Sequence, residues 1–126
     1  MKKNILFVVS LLFGLLLING GLNKFFNYMP VPPDMPAEVI KDGMALVEIE
    51  WLMPLIAVAE IVGGVLILFA RTRALGVLVV FPVMVGVLLT HIFTAPSGLP
   101  IALVIWVCLG WIIYENREKY LGLLKA

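Results

Sequence analysis

The chain has 126 residues, of which 63% are hydrophobic and 13% charged, with a formal net charge of +1. An ordinary soluble domain is about 45–50% apolar and about 25% charged, so the composition is that of an integral membrane protein. A balance so close to neutral gives no case for nucleic acid. The single cysteine, Cys108, rules out both an internal disulfide and a Cys-x-x-Cys redox pair, leaving it as a small packing residue.

A bilayer core about 30 Å thick needs about 20 apolar residues of helix to cross it. Asn4 to Asn23 carries no charge, and Trp51 to Ala70 carries only Glu60. Ala74 to Tyr114 is also uncharged, but as one helix it would run roughly 60 Å and must therefore fold back. The cluster Ala95-Pro96-Ser97-Gly98-Leu99-Pro100 supplies the break. The expected fold is an all-α integral membrane protein, a single domain over residues 1–126 forming a four-transmembrane-helix bundle. Its spans are about 4–25, 51–69, 74–94 and 99–114, with an outer loop over 27–50.

The first span begins after Lys2 and Lys3 and ends Ile18-Asn19-Gly20-Gly21. It lacks an Ala-x-Ala-like cleavage site and reads as a retained helix, not a signal peptide. Asn19 and Asn23 are four residues apart and share a helical face. Gly20 and Gly21 let a neighbouring helix pack closely at the same depth. Lys24 stands at the outer boundary.

The outer loop opens with Pro30, Pro32, Pro33 and Pro36, which make it extended or turning. A short amphipathic helix is expected from about Pro36 to Leu46, with Val39, Ile40 and Met44 on one side. The loop is acidic, with Asp34, Glu38, Asp42, Glu48 and Glu50 against Lys41. It reads either as a lid lying on the membrane or as an exposed linker.

Orientation follows from the basic residues in the short flanks. Lys2 and Lys3, then Arg71 and Arg73, then Arg117, Lys119 and Lys125 all fall on one side; only Lys24 and Lys41 fall on the other. Both termini are expected to be cytoplasmic, and the setting is a bacterial inner membrane. Phe25, Phe26, Tyr28 and Trp51 at the outer interface and Trp111 and Tyr114 at the inner one suit an aromatic belt. Pro54 falls in the first turn of the second span, where a missing N–H costs little. Pro82 falls inside the third span, where it is expected to kink the helix unless neighbours compensate.

Glu60 sits near the middle of the second span. A charge there costs several kcal/mol, so the carboxyl must face the interior and be protonated or paired. Helical spacing places Ala57, Gly63 and Gly64 on its face, a seam of small residues where another backbone comes close. By helical rise, Glu60 lies about 16 Å from the cytoplasmic end, Asn19 about 24 Å and His91 about 27 Å. The polar set Glu60, His91, Asn19, Lys24 and Asn23 thus forms the candidate ligand-binding group. It describes a pocket opening outward, with Glu60 at its floor and Lys24 and His91 near its mouth. Each member also has a structural reading: Glu60 as an interhelical hydrogen bond, Lys24 as a snorkelling anchor, the asparagines as interhelical glue and His91 as packing. One Glu and one His are too few ligands for a metal site. No nucleophile elbow, P-loop or Rossmann glycine motif occurs.

These residues carry a resemblance. Gly20-Gly21-Leu22-Asn23-Lys24-Phe25 resembles the Gly-x-x-Lys-hydrophobic signature of the DoxX family, and Glu60-Ile61-Val62-Gly63-Gly64 resembles its Glu-x-x-Gly-Gly. Arg71-Thr72-Arg73 and the late His91 fit as well, over about Leu11 to Trp111. Asn19 stands where members often have a histidine or other polar residue, and the Pro30–Pro36 loop is longer than in many of them. The resemblance implies a small four-helix membrane protein. It also implies association with quinone or redox partners, since the family name comes from a thiosulfate:quinone oxidoreductase subunit; many members have no assigned activity.

The residues and the resemblance support a quinone- or redox-associated accessory subunit in contact with membrane lipid. It would have no intrinsic cofactor and would take electrons from a redox partner protein. The alternatives are a small-solute or proton-coupled permease, which with so few helices requires a homo-oligomer, and a scaffold without chemistry of its own.

Overall fold

In the computed structural model, residues 2–28, 35–94 and 96–124 are described. Pro30, Pro32, Pro33 and Asp34 of the outer loop, Ala95 of the expected break and Lys125 of the tail lie outside the described residues. The described chain is helical, with no strand. Its helices are α1 (Lys2–Phe26), α2 (Ala37–Glu48), α3 (Leu52–Leu68), α4 (Arg73–Phe93), α5 (Leu99–Glu115) and α6 (Arg117–Leu124). A single 3-10 turn, Pro96–Gly98, separates α4 from α5.

Three helices, α1, α4 and α5 with its preceding turn, are long and apolar enough to cross a membrane. The number rises to four if α2 and α3 are taken as one bent unit, their axes meeting at 92°. The short length of α3 explains the difference: its 17 residues rise about 25 Å, less than a full hydrocarbon core. Apolar side chains such as Leu12, Leu55, Val58, Phe93 and Val107 are exposed along these helices. Such a surface is that of a chain solvated by lipid.

Helix α3 is central, packed most extensively against α1 and next against α4. Glycine makes both approaches possible. A Cβ on Gly14 would lie 2.7 Å from Gly64 O, and one on Gly64 would lie 2.7 Å from Gly14 O. A Cβ on Gly21 would lie 2.7 Å from Ala57 O. The pairing of 14 with 64 and 21 with 57 makes α1 and α3 antiparallel. On the opposite side, a Cβ on Gly76 would lie 2.7 Å from Gly63 O, and one on Gly63 would collide with Val80. The small residues expected on one face of Glu60 therefore serve two neighbours: Ala57 and Gly64 meet α1, and Gly63 meets α4.

Below this seam a core forms from Phe13, Leu17, Ile67, Val77, Leu109 and Ile112. Helix α4 runs unbroken through Pro82. It is tied to α5 by Trp106 Nε1, which donates to Met84 O at 3.1 Å while the indole meets Phe81 edge-on at 5.6 Å.

The end of α3 leaves carbonyls without intrahelical partners, and the next residues supply donors. Thr72 Oγ1 donates to Leu66 O at 2.7 Å and Arg73 Nε to Ile67 O at 2.9 Å. The tail is not a free extension. Helix α6 folds back so that Lys119 Nζ donates to Ala70 O at 3.0 Å and Tyr120 hydroxyl to Ala74 O at 3.1 Å. Burial pushes the Tyr120 phenol above its usual range, which keeps the proton this bond needs.

Candidate functional site

The amphipathic stretch forms α2, two residues longer at its C-terminal end than expected, and Pro36 O accepts from Val39 and Ile40 N–H at its start. No residue of α2 is buried. Val39 is half-buried, whereas Ile40, Met44 and Val47 are exposed. Asp42 Oδ2 accepts from Thr94 Oγ1 at 2.8 Å, tying α2 to the end of α4.

Between α2, α3 and α4 lies a cleft of ≈ 580 Å³. Ile56 and Ala59 of α3 line one wall, Val79, Val83 and Val87 of α4 the other, and Leu46 of α2 reaches its edge. Pro82 and Gly86 also line it, and a Cβ on Gly86 would meet nothing within 4 Å, so this glycine widens the space. The polar side chains in the lining are Lys24, Glu60, Thr90 and His91.

Lys24 Nζ lies 2.6 Å from Glu60 Oε1. The Glu60 side chain is 8% exposed and that of Lys24 is 26%. The carboxylate is walled on its other side by α1: a Cβ on Gly20 would come within 2.7 Å of Glu60 Oε2. Gly20 and Lys24 share one face, so the glycine admits the carboxylate and the lysine, one turn further on, covers it. Helical side chains lean toward their own N-terminus. In antiparallel helices Lys24 and Glu60 therefore lean toward each other. Lys24 and Glu60 thus meet directly in the lining of the cleft.

His91 lines the cleft but belongs to a different corner. Its Nδ1 donates to Val87 O at 2.8 Å, and a Cβ on Gly98 would press on its Nε2 at 2.7 Å. Because a carbonyl can only accept, Nδ1 carries the proton and Nε2 of the neutral ring is an acceptor. Thr90 Oγ1 donates back to Gly86 O at 2.8 Å, so its proton is also spent.

The asparagines take other positions. Tyr28 hydroxyl lies 3.0 Å from Asn19 O and makes a short contact with Asn19 Oδ1. Asn23 O accepts from Asn27 N–H at 2.7 Å. Neither Asn19 nor Asn23 is among the residues lining the cleft.

The structure thus brings together Lys24, Glu60 and His91 of the expected set. Sequence reasoning did not identify Gly14 and Gly76 as partners of the α3 glycines, nor Gly86 and Pro82 as the residues that open the α4 wall. Gly14 lies seven residues before Gly21, a spacing that places both on one helical stripe and was a legible signal. The Thr94–Asp42 bond joins residues 52 apart and leaves no local mark.

The DoxX family model matches residues 5–94, more than half of the chain and the part that builds the cleft. No curated protein and no solved structure matches it.

Proposed function

The chain belongs to the DoxX family, and from that premise we propose that it is a quinone- or redox-associated accessory subunit of a membrane complex. The head group of a quinone occupies the cleft and its tail follows the apolar walls into the membrane. The observation that carries this reading is the Lys24–Glu60 ion pair, 2.6 Å long, set in an otherwise apolar cleft of ≈ 580 Å³. Ionisable groups at such depth mark ligand or proton sites by default. Reducing a quinone takes two electrons and two protons. The chain has no Cys-x-x-Cys pair, so a redox partner protein supplies the electrons, while the ion pair stands where protons are exchanged.

In this reading the chain crosses a bacterial inner membrane four times with both termini cytoplasmic. Support comes from the basic flanks Lys2, Lys3, Arg71, Arg73, Arg117 and Lys119, against Lys24 and Lys41 on the other side. The exposed apolar surface of α1 and α5 is shared by lipid and further copies of the chain in a homo-oligomer.

Purification in mild detergent, followed by mass spectrometry for bound lipid-like molecules and co-purifying proteins, identifies the complex. Glu60→Gln is then expected to abolish its quinone-dependent turnover. Unchanged turnover in that variant ends the reading.

A further inference from the structure

The lining of the cleft selects for charge as well as shape. Among its described side chains, one ammonium faces one carboxylate, so the pair has no net charge. The hydroxyl proton of Thr90 is spent on Gly86 O, and the Nδ1 proton of His91 on Val87 O. Lys24 has three N–H donors and the pair uses one of them. Lys24 is also the more exposed partner, while Glu60 is held between it and Gly20.

Resting on the quinone reading above, we infer that Lys24 is the group that touches the ligand. Glu60, paired with it in the same lining, cancels its charge, and the cleft accordingly selects an uncharged amphiphile whose head carries a carbonyl acceptor. An anionic amphiphile of the same length is excluded. It would bring an uncompensated negative charge against the Lys24–Glu60 pair inside apolar walls, at a cost the pair cannot offset. A neutral carbonyl accepts a spare Lys24 N–H without disturbing the balance. Replacing Glu60 with a neutral residue leaves the ammonium uncompensated and removes the preference.

The test uses the full chain in neutral-lipid nanodiscs at pH 8, with isothermal titration of two probes: a decyl-tailed benzoquinone and decanoate. The unaltered chain is expected to bind the quinone at least tenfold more tightly than decanoate. Glu60→Gln is expected to gain at least tenfold in decanoate affinity. The double variant Lys24→Met/Glu60→Gln, which leaves no lone buried charge to unfold the chain, is expected to lose at least tenfold in quinone affinity. Equal binding of both probes by the unaltered chain overturns the charge selection while leaving a quinone in the cleft. Undiminished quinone binding by the double variant overturns the role of Lys24. Binding of neither probe overturns the quinone reading itself.

Discussion

Lys24 Nζ and Glu60 Oε1 are 2.6 Å apart across the seam between α1 and α3. The contact needs three things at once: Gly20 beneath the carboxylate, antiparallel helices, and side chains that lean toward each other's depth. A carboxylate so little exposed depends on its cation. Lys24→Met is therefore expected to destabilise the chain by ~3 kcal/mol, the lower end for breaking a buried pair because Lys24 keeps some exposure. Lys24→Met/Glu60→Gln should recover most of that loss. Thermal unfolding in detergent, followed by circular dichroism, reads both. A double variant no more stable than the single one refutes the account of the pair.

The α1–α3 approach is set by backbone, not by flexible side chains. Gly14→Ala places its methyl 2.7 Å from Gly64 O, where nothing can yield. The expected cost is about 1–3 kcal/mol, the range for overpacking. Gly110→Ala is the control, since a Cβ there meets nothing within 4 Å. It should be neutral or stabilising by up to about 1 kcal/mol from helix propensity. Equal stability of the two variants in the same unfolding measurement contradicts the packing argument.

His91 is the only histidine, so its ring nitrogens can be assigned without ambiguity. Nitrogen NMR of the neutral ring is expected to find the proton on Nδ1, held by Val87 O at 2.8 Å. Gly98→Ala should shift both ring signals, because the added methyl meets Nε2. A proton found on Nε2 instead would remove the bond to Val87.

The tie between Asp42 and Thr94 holds a helix that buries none of its own residues. Asp42→Ala is expected to speed amide hydrogen exchange across Ala37–Glu48 about fivefold, as loss of a hydrogen bond worth about 1 kcal/mol requires. Exchange elsewhere in the chain should not change. Uniform protection of α2 in both proteins would mean that the bond does not hold it.

Tyr120 gives a pH dependence with a definite sign. Its folded-state pKa is raised by burial, so the neutral phenol is favoured in the fold. Below the unfolded value of 10.0 both states are protonated and the docking of α6 is intact. As pH rises past that value the unfolded chain loses its proton first, and stability falls. Tyr120→Phe, which cannot ionise, should lose less stability than the unaltered chain between pH 9 and about pH 11. Parallel pH profiles for the two proteins would show that Tyr120 is not the group responsible.

Much of this architecture is legible in the residues alone. Hydropathy located the long apolar helices because a bilayer demands a nearly fixed length of uncharged chain. Ala95 to Pro100 had to break the run, since one helix would have been about twice too long. Glu60 among Ala57, Gly63 and Gly64 announced a close seam, because an acid in hydrocarbon must face protein and small residues let protein approach. What spacing could not convey was direction between helices. Depth along each helix put Lys24 near the mouth of a pocket and Asn19 between Glu60 and His91, but depth says nothing of rotation about the axis or of which way a long side chain leans. Only the packed structure turned Asn19 toward Tyr28, divided the glycines between α1 and α4, and brought Lys24 down over Gly20. The reason is physical: hydrophobic length is a property of one segment, whereas the partner of a buried charge is decided by the crossing of two.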